Sequence, residues 1–213
     1  MIKGCFLIAF DGSHASGKTT LKYSVAAKLK EMGFNCVVLS EPARNNPLVD
    51  DVVLRDQKEF DIPLEVDLIM NHISSCIRGT RNGNIILSDR TPANVIAYTN
   101  LLVKSQNDKE LDFWEKCDGL VETWIKFYDL IFYCQDFYSE NENQDKMRSK
   151  VVGMQQSVDL ETRKQYEKFN CNLQYIPRGL TLEEKADMVI NKIQSKFDLK
   201  SKIRSDFKQV GEI

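Results

Sequence analysis

Gly12-Ser13-His14-Ala15-Ser16-Gly17-Lys18-Thr19 is a complete G-x-x-x-x-G-K-T stretch, and its flanks matter as much as the pattern. Before it runs the apolar segment Cys5-Phe6-Leu7-Ile8-Ala9-Phe10, which reads as a buried strand. After it, Thr20 through Ala27 and Leu29 to Met32 has helical spacing. Between a strand and a helix, glycines let the backbone curl so that successive N–H groups point inward. The helix start adds its positive end, and the result is a cradle for di- or triphosphate. The expected contacts to ATP run through Gly12, Ser13, His14, Ala15, Ser16, Gly17, Lys18, Thr19 and Thr20. Lys18 would lie along the β and γ phosphates, and the Thr19 hydroxyl would ligate Mg2+.

The rest of the chain bounds what such a loop can serve. With 213 residues it fits one α/β domain, and 42% hydrophobic with 28% charged residues is enough for a substantial core under a charged surface. A net charge of −2 exerts no global pull toward nucleic acid or an anionic membrane, so any polyanion contact must be local. Six cysteines without a C-x-x-C pair, three of them in or beside apolar runs, read as buried free thiols of a reducing compartment. No stretch reaches the length of a membrane span, and a cytoplasmic location without membrane partner is the expectation.

Going outward from the loop, Asn35 to Ser40 reads as a second strand that delivers Glu41-Pro42 to its end. Carboxyl ends of parallel strands form the ligand edge, which places Glu41 in the same cleft as the loop. A short helix is expected around Val49-Leu54, then a long one from Leu64 to Arg81 that contains His72, a candidate acceptor contact. The third strand, Asn84 to Ser88, presents Asp89-Arg90. Asp89 is placed to hold magnesium through water, and Arg90 to clamp an anionic group. Helices are expected from Ala93 to Val103 and from Leu111 to Phe127, the second carrying Trp114 and Trp124 into the core. After the fourth strand, Asp129 to Cys134, the polar segment Ser139 to Lys150 occupies the position of a lid, about 138–158, with Arg148 its candidate cation. A helix over Val158 to Phe169, a strand over Asn172 to Pro177 and a helix to about Phe197 complete the pattern. Thr181 and Glu184 have the spacing of a capping box at the start of that last helix. The expected organisation is one domain, 1–197, with a basic tail over 198–213.

Alternating strands and helices with five apolar strands imply a three-layer α/β/α fold around a parallel sheet. Phe10-Asp11-Gly12 through Thr20, Glu41-Pro42, and Ser88-Asp89-Arg90 with Ala97-Tyr98 beyond it resemble the motifs of thymidylate kinases. Deoxynucleoside kinases share much of that layout. The resemblance implies the P-loop NTPase fold with a lid segment, and an ATP- and Mg2+-dependent kinase acting on a nucleoside- or nucleotide-type small molecule. It implies catalytic roles for Lys18, Glu41, Asp89, Arg90 and Arg148; the candidate acceptor contacts in this chain are Glu41, Arg44, His72 and Arg90. A nucleoside or deoxynucleoside monophosphate is the first expected acceptor. The chain departs from thymidylate kinases by His14 where an acid stands in their loop, by Asn71-His72 where they carry an arginine, and by Ser40 before Glu41. Arg44, Arg78 or Arg90 would then have to hold a monophosphate.

The alternative acceptor is a hydroxyl on a nucleoside, a modified base or a polynucleotide end, with Glu41 as general base. Nucleic acid is thereby open but not favoured, and so is a homodimer. A regulatory ATPase module is the reading from another class. A GTPase reading has no support, because the fourth strand ends in Tyr133-Cys134-Gln135-Asp136 rather than an Asn-Lys-x-Asp signature. A motor-type ATPase would close the third strand with two acids, and the second residue here is Arg90.

Overall fold

The computed structural model describes residues 4–55, 58–103, 107–138 and 151–197. Five parallel strands form one sheet in the order β2-β3-β1-β4-β5, with β1 Phe6–Asp11, β2 Cys36–Val38, β3 Ile85–Asp89, β4 Leu130–Cys134 and β5 Leu173–Ile176. The helices are α1 Lys18–Glu31, α2 Pro47–Val53, α3 Ile62–Gly79, α4 Pro92–Leu102, α5 Asp108–Trp124, α6 Gln155–Lys168 and α7 Leu182–Lys196. This is the three-layer α/β/α fold of P-loop proteins expected from the alternation of elements.

The central strand shows why both faces need helices. All six residues of β1 are buried, and successive side chains point to opposite faces of the sheet. Phe6, Ile8 and Phe10 enter one layer with Leu21, Val25 and Leu29 of α1 and Val189 and Ile193 of α7. Leu7 and Ala9 enter the other with Ile69 of α3, Ile96 of α4, and Trp114 and Trp124 of α5. Each fully buried Leu, Ile or Phe contributes about 1.5–3 kcal/mol. A polar residue at any of these β1 positions would therefore unseat one layer.

Register then sets the site. Phe10 pairs with Asp89 of β3, and Asp11 pairs with Tyr133 of β4. The third strand thus ends level with the start of the glycine-containing loop, at the point where the chain order of neighbouring strands reverses. That crevice is where open parallel sheets bind ligands.

Element edges differ from the sequence expectation where side chains cap helices. Asp61 accepts from Leu64 N at 2.9 Å, so α3 starts at Ile62 rather than Leu64. Asn107 and Glu110 form a reciprocal capping box that starts α5 three residues earlier than apolar spacing shows. The Thr181 and Glu184 box is present at the start of α7. Of the expected lid over 138–158, residues 155–158 belong to helix α6, whose Val158 is fully buried. Arg148, the rest of the segment from 139 to 150, and the tail from 198 lie outside the described residues. Among the described residues no helix is long and apolar enough to cross a membrane.

Candidate active site

The loop between β1 and α1 turns through two positions of positive φ before Gly17, namely Gly12 at 142° and Ala15 at 52°. Gly17 itself, at φ 80°, is the N-cap of α1. At Gly12 the need for glycine is steric as well. A Cβ there would stand 2.6 Å from the Cys134 carbonyl oxygen and 2.9 Å from Ser16 Oγ. The loop is therefore seated directly on the end of β4. Ser16 Oγ is buried without a hydrogen-bond partner among the described residues. Lys18 is buried and donates to Ser13 O at 3.0 Å, lying back along the loop. Burial lowers its ammonium to about 8, with Arg90 adding to the effect and Glu41, Asp89 and Asp11 opposing it.

Thr19, next on α1, donates through Oγ1 to Asp89 Oδ2 at 2.9 Å. The same oxygen takes Lys22 Nζ at 2.8 Å, a buried ion pair, while Lys22 also donates to Leu39 O at 2.7 Å. The other oxygen, Asp89 Oδ1, is buried with no partner among the described residues. An uncompensated carboxylate oxygen beside a threonine hydroxyl at a helix start is a hard-oxygen donor set. It suits Mg2+, which keeps few protein ligands and takes the remainder from phosphate and water. Lys22 is missing from the sequence expectation, although its place four residues after Lys18 puts both on one face of α1.

Across the crevice, Arg90 Nε lies 2.7 Å from Glu41 Oε1, and Arg44 Nε lies 3.3 Å from Glu41 Oε2. Burial alone would raise the Glu41 carboxyl, but Arg90 above all, then Lys18 and Arg44, hold it down at about 2. Arg90 has φ 67°, a left-handed conformation that costs a non-glycine residue on the order of 1–3 kcal/mol. Several contacts hold it there. Arg90 N donates to Phe10 O at 2.9 Å, Ser88 Oγ donates to Arg90 O at 3.0 Å, and the guanidinium bonds Asn94 and sits 5.1 Å from the Tyr98 ring centre. Tyr98 Oη in turn lies 3.0 Å from His14 Nδ1.

Behind this group Asp11 is fully buried and receives Gly12 N at 2.6 Å, Thr91 N at 3.1 Å, Asn94 Nδ2 at 2.9 Å and the Tyr166 hydroxyl. Asp11 thus ties the loop to the start of α4 and, through Asn94, to the Arg90 guanidinium. Burial raises its carboxyl, against the opposing pull of Arg90, Tyr166, Gly12 and Lys18. In the sequence Asp11 stands in the stretch Phe10-Asp11-Gly12 without a role of its own, because most of its donors come from the start of α4 and from α6, far along the chain.

His14, Lys18, Thr19, Glu41, Arg44, His72 and Arg90 all border one pocket. Val49 and Val53 of α2, Phe60, Leu68 of α3 and Val95 of α4, which pack into one apolar cluster, also line it, as does Leu102. His72 is 2% exposed, with Nε2 at 2.9 Å from Tyr128 Oη and 3.0 Å from Ser88 Oγ. Burial lowers it to about 4, against Asp89 and Glu41, so it is neutral at ordinary pH. Gly12, Ser13, Ala15, Ser16, Gly17, Thr20 and Asp89 do not border this pocket, and neither does Arg78. Thr20 is exposed on α1, and Arg78 is exposed in the last turn of α3, away from the pocket. Among the described residues no group of three or more His, Cys, Asp or Glu could hold a metal by itself.

Comparison with known proteins bears on the fold. The family model described as an AAA domain matches residues 7–185. No curated protein matches the chain. Among solved structures, deoxyadenosine kinase from M. mycoides, with products dCMP and a flexible dCDP bound, superposes with a TM-score of 0.57 at 15% identity, covering 89% of this chain and 99% of that one. The NadR protein in complex with NR gives 0.68 at 17% identity over 90% of this chain and 51% of its own. NadR in complex with NAD and AMP-PNP gives 0.65 at 16% identity, 90% of this chain and 49% of that one. The chain spans about half the length of NadR, and at these identities the likeness is one of fold. A family match over residues 7–185, on a kinase-like P-loop fold with the loop intact, means that the chain belongs to the AAA domain family.

Proposed function

We propose that this protein is a kinase that moves the γ-phosphoryl of ATP to a hydroxyl of a nucleoside-type acceptor. The observation that carries the reading is the pocket itself: Lys18 and Thr19 at the loop share one enclosed space with the Glu41–Arg90 pair. Phosphoryl transfer passes through a loose transition state, so positioning and charge neutralisation supply most of the catalysis. In this arrangement the loop amides and Lys18 hold the donor phosphates. Thr19 and Asp89 are the residues that would hold Mg2+, which supplies charge neutralisation on the phosphates when bound. Arg90, fixed from Asn94 and Tyr98, faces the transferring group. Glu41 accepts the hydrogen bond of the incoming hydroxyl and takes its proton late, which a weakly basic carboxylate can do because the nucleophile needs little activation in such a transition state.

A hydroxyl is favoured over a phosphate because both guanidiniums at the acceptor side, Arg44 and Arg90, already face the Glu41 carboxylate. A monophosphate would have to displace that carboxylate from at least one of them. The observation on the other side is that the Arg44 side chain is 42% exposed and can swing, which keeps the nucleoside monophosphate as the second reading.

The test is transfer of label from γ-labelled ATP to a panel of nucleosides and of their monophosphates. Labelled nucleoside monophosphates are the expected products. ADP release at one rate whether or not any acceptor is present refutes the kinase reading and favours an ATPase module.

A further inference from the structure

Glu65 stands in the first turn of α3, where an acid ordinarily faces water and complements the helix dipole. Here it is 1% exposed and borders the acceptor pocket. Leu68, Phe60 and Val95 border the same pocket, and the charge that acts on Glu65 is another acid, Asp61. Burial raises its carboxyl to about 8, and Asp61 adds to that rise. A buried carboxyl in an apolar wall, without a cation beside it among the described residues, lowers stability. Such a group marks a site that uses it.

Position along the helix says what it is for. Glu65, Leu68 and His72 line the pocket from one face of α3. His72 reaches Ser88, next to Asp89 and the phosphate end. Glu65 is seven residues earlier, roughly 10 Å along the axis at 1.5 Å per residue. That separation matches the span from the primary hydroxyl of a nucleoside to the far edge of its ring. The hydroxyl of Thr99 donates to Val95 O at 2.9 Å, so toward Glu65 it turns a lone pair. Protonated, Glu65 gives its proton to that lone pair and keeps a carbonyl oxygen toward the pocket; ionised, it has only acceptors. In both states the pocket meets an acceptor oxygen.

Resting on the kinase reading above, we propose that Glu65 selects the acceptor by taking a hydrogen bond from an amino or amide N–H on the outer ring edge of the nucleoside. A ring whose outer edge carries only acceptors would set lone pair against lone pair in a dry wall, and is rejected.

The test measures binding by calorimetry to full-length protein saturated with Mg2+ and a non-hydrolysable ATP analogue. Adenosine is compared with purine riboside, and cytidine with pyrimidin-2-one riboside, each second member lacking the amino group. The expected result is that at least one amino member binds about tenfold or more tightly than its partner, and that Glu65→Leu reduces the ratio to about twofold or less. Glu65→Leu, which fits the apolar wall, should keep its affinity for the ATP analogue and melt at a higher temperature than the parent. Glu65→Gln, which keeps a carbonyl oxygen, should keep most of the preference. Equal binding within both pairs, no nucleoside binding at all, or a preference that survives in Glu65→Leu overturns the assignment. Labelled ATP is then supplied with the preferred nucleoside. Selective binding that depends on Glu65 but gives no transfer supports the assignment and refutes the kinase reading, so the two failures are separable.

Discussion

Replacing Glu65 with Gln removes one titration from the folded state and leaves the shape of the side chain intact, which makes its effect on stability calculable. The carboxyl moves from 4.5 in the unfolded chain to about 8 in the fold, driven by burial. The folded state therefore holds a proton between those values where the unfolded chain has released it. By linkage, unfolding free energy is greatest below about pH 4.5 and falls as pH rises toward 8. At about 1.4 kcal/mol per unit, roughly 3 kcal/mol is lost by pH 7 and about 5 kcal/mol across the whole window. These are upper values, since local relaxation reduces them. Denaturant unfolding of parent and Glu65→Gln at pH 5, 6, 7 and 8 isolates the contribution, because His72 and the other groups titrate alike in both and cancel in the difference. The parent should lose stability relative to the variant steadily from pH 5 to 8. Parallel curves, or a variant that loses more than the parent, would refute the placement of an uncompensated carboxyl in the pocket wall.

Lys18→Ala should lower phosphoryl transfer by at least about 10²-fold while leaving the circular dichroism spectrum unchanged, since the residue neutralises charge on the moving group and packs against no core layer. Glu41→Gln should cost about 10²–10⁴-fold with a nucleoside and far less with a monophosphate; equal loss with both removes the base assignment. Gly12→Ala brings a Cβ to 2.6 Å from a backbone carbonyl that cannot swing aside. It should destabilise by about 1–3 kcal/mol and abolish binding of Mg-ATP, as measured by thermal shift with and without nucleotide. Asp11→Asn keeps the volume but turns an amide donor toward Tyr166 or Asn94, and about 1–3 kcal/mol of destabilisation is expected together with weaker acceptor binding.

The strand-loop-helix core was legible because it is local. Hydrophobic runs of β1, β3 and β4 and the spacing of glycines around Lys18 need only neighbouring residues to be understood. The same holds for Asp89 and Glu41, which end apolar strands, and strand ends in a parallel sheet share one edge. Lys22 and Glu65 were not legible, and Asp11, which ends an apolar strand as Asp89 does, showed no role until Thr91, Asn94 and Tyr166 were packed around it. Lys22 reads as a surface lysine until Asp89, 67 residues away, is brought to 2.8 Å of it. Arg78, one of three arginines of suitable type, is exposed in the last turn of α3 and does not border the pocket.

Covalent order and side-chain period are enough to set the number and kind of elements and the presence of a phosphate cradle, since each depends on residues within a turn or a strand of one another. Which strands lie side by side, and at what register, depends on how five apolar runs share two layers of helices. Only that packing brings Asp89 to Thr19, turns Glu41 onto Arg90, and closes an apolar wall around Glu65. A carboxylate at a strand end or in a first helical turn is ordinary until burial removes its water. The dielectric around it, and hence its charge and use, is a property of the assembled core rather than of the residue.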